Sequence, residues 1–455
     1  MSKYNTAFLL LVYLLVTSCG KEFLEVKQNQ NLVVPYRIAD FQGMLDQVSI
    51  MNTSSCHELS TIGSDEYFIA ENVWSALTNT DQKNGYIWAA DIFERGRSDD
   101  WERAYNRMLI ANMALEVEKI KPNANEQDAW NNVVGSALFF RALNHFQLAQ
   151  LFCKPYNAES ASADLGIPLR LEADVTIKST RASVFETYAQ MILDLERARD
   201  LLPDKPLLKY RPSKAAVFAL LSKVYLQMDE YEKAELNASK CLAIDDELID
   251  FNTLDIDARY PMTQNYEENP EIVFMCNINN LAITNTSRFN VDTLLWAMYE
   301  EDDLRKQVYF FETGGRRVFK GSYRGSAAFF TGMALDEVLL NRAECSVRLG
   351  NLNMALNDLN RLLSHRYKKE GFSPLDIGDS DLLLRRILHE RRKELLMRGT
   401  RWEDLRRLNR DERFATILER KLGDRYYELK PTAQRYVLPI PDNEIDLSGI
   451  EQNPR

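Results

Sequence analysis

The residue types that carry chemistry are spread thinly along this chain, and most of their spacings rule reactions out. Four histidines, His57, His145, His365 and His389, lie far apart. His389-Glu390 opens like the helical zinc-peptidase pattern, but Lys393 occupies the place of the second ligand, so the two-imidazole face is missing. Asp255 and Asp257 start like a calcium loop that then has Tyr260 in place of glycine and Tyr266 in place of the closing glutamate. Gly314-Gly315 and Gly321 to Gly325 lack the strand, helix and Gly-Lys-Ser/Thr context of a phosphate cradle. Asp99-Asp100 and Glu300-Glu301-Asp302-Asp303 could supply two carboxylates for glycoside hydrolysis, but Asp99-Asp100 is explained by the preference of acids for a helix amino end. The chain therefore reads as a non-enzyme with no cofactor and no metal.

Flat side chains offer a different activity. Tyr67, Phe68, Trp74, Tyr86 and Trp88 fall in one short span with Asp65, Glu66, Asn72, Asn79 and Asp81. Sugar rings present apolar C–H faces that stack on tryptophan or tyrosine while their hydroxyls bond to amides and carboxylates. We take Tyr67, Asn72, Trp74, Tyr86 and Trp88 as candidate ligand contacts, with Tyr323 and Arg324 between Gly321 and Gly325 as a second polar-aromatic point. The same rings could instead pack the loop onto neighbouring helices. Trp101, Trp130, Trp296 and Trp402 sit inside or beside helical patterns and rank lower.

The amino terminus fixes where such a site would work. Phe8 to Val16 forms an apolar run too short for a spanning helix, which needs about 20 residues, and Val16-Thr17-Ser18-Cys19-Gly20 closes it like a lipobox. The expected product has residues 1–18 removed as a signal and begins at a lipidated Cys19; two or more acyl chains would hold it on a membrane. The formal net charge of -11 gives no broad claim on nucleic acid. Cys56, Cys153, Cys241, Cys276 and Cys345 are widely spaced and odd in number, which favours buried thiols over a disulfide scaffold.

The elements that would carry the site are helical. Apolar residues recur at three and four from Ser98 onward, and Ser183 with Glu186 makes a capping box. Residues 215–246 match a tetratricopeptide spacing, with Ser222 and Ala234 small where two helices approach; the register recurs at Leu339, Ala343, Ser346, Gly350 and Ala355. A further helix from Leu382 to Met397 is closed by Gly399. The spacing predicts an all-α fold of tetratricopeptide-like hairpins near 98–152, 181–246 and 334–410, forming one domain over 19–455, with irregular loops near 60–97 and 252–332.

Several segments in this order resemble the SusD/RagB family of outer-membrane nutrient-binding lipoproteins of Bacteroidetes: Trp101-Glu-Arg-Ala-Tyr105, Phe139-Phe140-Arg141-Ala142, Gly166-Ile-Pro168-Leu169, Arg211-Pro-Ser-Lys-Ala-Ala216, Glu390-Arg391-Arg-Lys-Glu394-Leu395, Gly399-Thr-Arg401-Trp402-Glu-Asp404-Leu405 and Leu438-Pro-Ile-Pro441. The resemblance implies a helical frame with a loop-rich ligand face, and a SusC-like TonB-dependent transporter as partner. It also implies a place on the outer membrane facing the exterior, with Lys21-Glu22 resembling the export signal. Glu390, Arg391, Glu394, Arg401, Trp402 and Asp404 are implied to form a structural network. The expected function is capture of an oligosaccharide; a peptide cargo, or an assembly lipoprotein without a small ligand, are the alternatives.

Overall fold

Apolar residues all around one helix mark the centre of this molecule. From Val133 to Phe152 every side chain of α3 (Gln127–Phe152) is buried, which is the signature of a helix packed on all sides. The computed structural model describes residues 35–278 and 281–455. Around α3 stand α1 (Ile38–Leu45), α2 (Asp99–Leu115) and α4 (Val184–Leu201). The array continues through α5 (Lys214–Gln227), α6 (Tyr231–Ile244), α7 (Leu335–Arg348), α8 (Leu352–Ser364), α9 (Ser380–Glu394) and α10 (Thr400–Leu408). Each of α2 to α8 packs on its predecessor, and α9 packs on α7. Among the described residues no helix is long and apolar enough to cross a membrane.

Local chemistry explains the boundaries. The Ser183 hydroxyl accepts from the Glu186 N–H while Glu186 returns a bond to the Ser183 N–H, so the capping box starts α4 as the sequence predicts. The repeat hairpins α5/α6 and α7/α8 turn at Asp229 and Gly350, both with left-handed backbone. Ala234, Ala238, Ala355 and Ser346 are buried, and the Ser222 hydroxyl accepts from Asn341 across the gap at 3.3 Å. The predicted helix Leu382 to Met397 is shorter: α9 ends at Glu394, and Gly399 (φ 76°) instead forms the amino cap of α10. The five cysteines outside the leader are buried free thiols. Cys19 and its lipobox lie outside the described residues.

The segment 245–334 loops out between α6 and α7, which pack directly on each other. It meets the amino-terminal segment 47–97 to form a second layer. Tyr67–Ile69 pairs antiparallel with Phe289–Val291, the Ser55 N–H donates to the Asn277 carbonyl at 3.1 Å, and the Ile283 N–H donates to Gln82 Oε1 at 2.9 Å. The span 60–97 is less irregular than expected, since it contains the short helices Glu71–Ser75 and Thr80–Tyr86. Strands are confined to pairs of two to five residues, including the hairpins Phe310–Thr313 with Arg316–Phe319 and Leu418–Leu422 with Arg425–Leu429.

Candidate functional site

Four of the five residues nominated as the sugar platform serve the core. Tyr67, Tyr86 and Trp88 are 0–2% exposed and surround the Arg420 guanidinium, which lies 5.8, 4.5 and 5.0 Å from their ring centroids. Their polar ends are satisfied inward: the Tyr67 hydroxyl donates to the Ile62 carbonyl, the Tyr86 hydroxyl accepts from the Ile69 N–H, and the Trp88 indole donates to the Gly63 carbonyl. Trp74 is also buried; its N–H donates to the Lys83 carbonyl at 2.9 Å, and Lys83 and Arg425 lie 5.0 and 4.9 Å from its ring. Only Asn72 of this group is exposed. These rings fill the seam between the second layer and the carboxy-terminal hairpin, because burying aromatic area and caging a cation outweigh leaving the faces in water. Tyr323 is likewise sealed, whereas Arg324 remains half-buried beside Tyr266, 5.1 Å from its ring.

An accessible aromatic surface appears elsewhere on the second layer, around the hairpin Phe310–Thr313/Arg316–Phe319. Trp296, at the end of the short helix Thr293–Ala297, is half-buried. Its ring packs edge-on against Phe310 (5.2 Å), and Lys306 and Arg317 approach it to 5.2 and 4.6 Å. Among the described residues its indole N–H has no hydrogen-bond partner. In the antiparallel register Phe310, Glu312, Arg317 and Phe319 share one face of the hairpin and Phe311, Thr313, Arg316 and Val318 the other. On that second face the Arg259 guanidinium lies 3.8 Å from the Phe311 centroid, with Tyr260 5.5 Å away. Exposed Leu294 and the outward Phe68, opposite Asn290, extend the apolar surface of the layer. Trp296 ranked low in the sequence because it borders a helix; that helix has five residues, and its end leaves the ring at the surface.

The signature charges lie inside. Arg391 donates to Asp404 at 2.8 Å, directly joining α9 to α10, and Arg401 pairs with Asp65 at 2.7 Å. Glu390 and Glu394 both face Arg305, at 2.6 and 2.9 Å, and Glu394 also takes Arg366 at 2.7 Å. Arg305 and Arg366 are the completely buried hubs that the sequence did not single out; each lies in a loop, and their only signals are the acidic run just before Arg305 and the four acids they reach from distant segments. Trp402 contributes packing rather than polarity: it stacks on Tyr436 at 4.9 Å and covers Gly63.

Two sealed groups show why none of this is catalytic. Tyr323 has one hydroxyl proton but contacts both Glu271 and Asp336 (2.8 Å). Arg398 holds Asp336 ionised at 2.6 Å, while burial pushes Glu271 up to about 7, so the extra proton belongs to Glu271. Ser55, His57 and Glu403 line up with Oγ–Nδ1 at 3.0 Å and Nε2–Oε1 at 3.8 Å, in the manner of a nucleophile, base and acid. All three are buried beyond reach of a substrate, and burial pushes His57 down to about 3, away from a useful base. Among the described residues no group of three His, Cys, Asp or Glu could hold a metal ion.

Comparison with known proteins agrees with this architecture. A family profile described as "Starch-binding associating with outer membrane" matches residues 22–226, and the SusD family profile matches residues 320–455. A SusD-like protein P2 of Formosa agariphila is 28% identical over 255 residues, 51% of this chain; the match spans 45% of that relative's length. Among solved structures, a putative sugar binding protein from Bacteroides vulgatus superposes with a TM-score of 0.76 at 22% identity, over 93% of this chain and 99% of its own. A SusD superfamily protein from Bacteroides thetaiotaomicron gives 0.74 at 21%, over 92% and 100%. With helical frame, chain order of the two profiles and near-complete structural overlap in agreement, the chain belongs to the SusD family.

Proposed function

We propose that this protein is a non-catalytic receptor that captures an oligosaccharide on its second layer and passes it to a SusC-like TonB-dependent transporter. It would be held on the outer face of the outer membrane by lipid on Cys19. The observation that carries the reading is the half-exposed Trp296, whose free indole N–H and flanking Lys306 and Arg317 combine a flat apolar edge with donors for hydroxyls. The family profile's starch-binding description and the sugar-binding names of similar solved structures support the cargo class. Contact with cargo is thereby assigned to Trp296 and the hairpin, with Arg324 and Asn72 as accessible outliers, in place of the buried rings. Binding should be reversible with fast release, since cargo is handed on.

The test is a glycan array probed with the purified soluble chain, alongside a peptide library. Glycan binding that falls on Trp296→Ala supports the proposal; selective peptide binding would redirect it, and binding untouched by the substitution would remove the site. Co-purification of a β-barrel transporter from membranes, and mass spectrometry of a lipid-modified Cys19 peptide, test partner and anchor separately.

A further inference from the structure

The charges around the hairpin are unbalanced in a way that the net charge of -11 conceals. Among the described residues Arg259 makes no hydrogen bond or ion pair and is held only by its stack on Phe311, 3.8 Å from the ring, and by Tyr260. Lys306 donates only to the Tyr299 carbonyl at 3.2 Å, and Arg316 only to the Thr286 carbonyl at 2.7 Å. Arg317 alone has a carboxylate, Glu312 at 3.2 Å, and both side chains are exposed. The nearby acids are committed elsewhere. Glu300 pairs with Lys393 and Arg386, Asp302 with Lys368, and Asp303 with Arg305 and Lys393. Asp292 caps the helix that carries Trp296 and faces Arg392. Asp255 and Asp257, on the turn leading to Arg259, form no ion pair with it, and Glu301 stands alone at the surface.

Stacking fixes a guanidinium in a plane while leaving its edge N–H groups pointing outward, the geometry that meets a carboxylate or sulfate with two parallel bonds. Because the local acids are drawn toward scaffold cations, Arg259, Lys306 and Arg316 keep their charge unneutralised beside accessible aromatic carbon. Resting on the capture reading above, we infer that the cargo is an acidic glycan, whose anionic groups are met by Arg259, Lys306 and Arg316 while Trp296 and Phe311 supply the apolar contacts. A neutral sugar leaves these three cations without a counter-charge; a uronate or sulfate ester supplies it.

Calorimetric titration of the full soluble chain distinguishes the possibilities, using oligogalacturonides for the carboxylate arm, carrageenan oligosaccharides for the sulfate arm, and malto- and xylo-oligosaccharides as neutral probes. At least one acidic probe should bind about tenfold or more tightly than the neutral ones, and its affinity should drop as sodium chloride rises from low to high concentration. Arg259→Met and Lys306→Met should each weaken that probe severalfold with unchanged thermal melting, and the arm that responds identifies the anion. Neutral probes binding as tightly as acidic ones, lost in Trp296→Ala but insensitive to salt and to Arg259→Met, would overturn the inference and leave glycan capture standing. Absence of binding by all four probe classes would overturn this inference and remove support from the capture reading together.

Discussion

Replacing Arg366 by methionine keeps most of the side-chain volume and deletes a charge that is wholly buried. The guanidinium donates to both Glu271 oxygens at 2.9 Å, to Glu394 at 2.7 Å and to the Ile249 carbonyl at 2.9 Å. After the change Glu394 still faces Arg305 at 2.9 Å, but Glu271 keeps only the Ile249 N–H and the Tyr323 hydroxyl. Removing one partner of a buried pair costs about 3–5 kcal/mol, because the remaining charge is left without compensation. Glu271 softens this by taking a proton: burial already pushes it up to about 7 with Arg366 present, and losing the cation raises it further. The penalty should therefore be larger at pH 8 than at pH 5. Urea unfolding followed by circular dichroism reads the loss as a lower midpoint with the same slope. A double-mutant cycle with Glu271→Gln should recover at least about 1 kcal/mol, since the second change removes the stranded charge. A single-variant loss below about 1 kcal/mol, or strictly additive effects, would refute the buried-hub reasoning.

Three further outcomes follow from the same geometry. Trp88→Ala should destabilise the fold by about 3–5 kcal/mol by opening the Arg420 cage, while glycan binding by the folded fraction is retained, as seen by melting and titration on the same sample. Gly399→Ala should lower the melting temperature much more than Gly350→Ala: both glycines have left-handed backbone, but a Cβ at 399 would meet the His57 ring at 2.5 Å and one at 350 meets nothing within 4 Å. The left-handed strain common to both is about 1–2 kcal/mol. Burial pushes Glu66, Glu271 and Glu403 up to about 7, so their contribution is complete below the ordinary carboxylate range and is lost as pH rises through 7. Arginine pairing instead holds Glu344 down at about 2, a contribution present above the ordinary carboxylate range and lost as pH falls toward 2. Unfolding midpoints across pH 3 to 9 should thus peak on the acid side of neutrality, and a plateau extending to pH 9 would contradict the first group.

The helical frame was legible because its signals are local. A cap at Ser183, a left-handed turn at Gly350, small residues at Ser222 and Ala234 and a three-four apolar period all act within a few residues of where they are read. The site was less legible. Tyr67, Tyr86 and Trp88 looked like a platform because aromatic residues in a polar span stack on sugars or on protein with equal ease, and the residue that decides between these, Arg420, arrives from more than 300 positions later. Trp296 was passed over for bordering a helix, which says nothing about whether the ring at its end faces inward.

By itself the sequence determined the class of fold, the repeat hairpins and the resemblance that places the chain in its family, since periodicity, caps and ordered motifs are properties of neighbours along the chain. Tertiary structure alone decided which aromatics are open, which charges are neutralised and which segments meet. Those depend on contacts between residues far apart in sequence, such as Tyr67–Ile69 against Phe289–Val291 and Arg366 against Glu271, where burial of area and the cost of an unpaired charge choose among arrangements that the local pattern leaves equivalent.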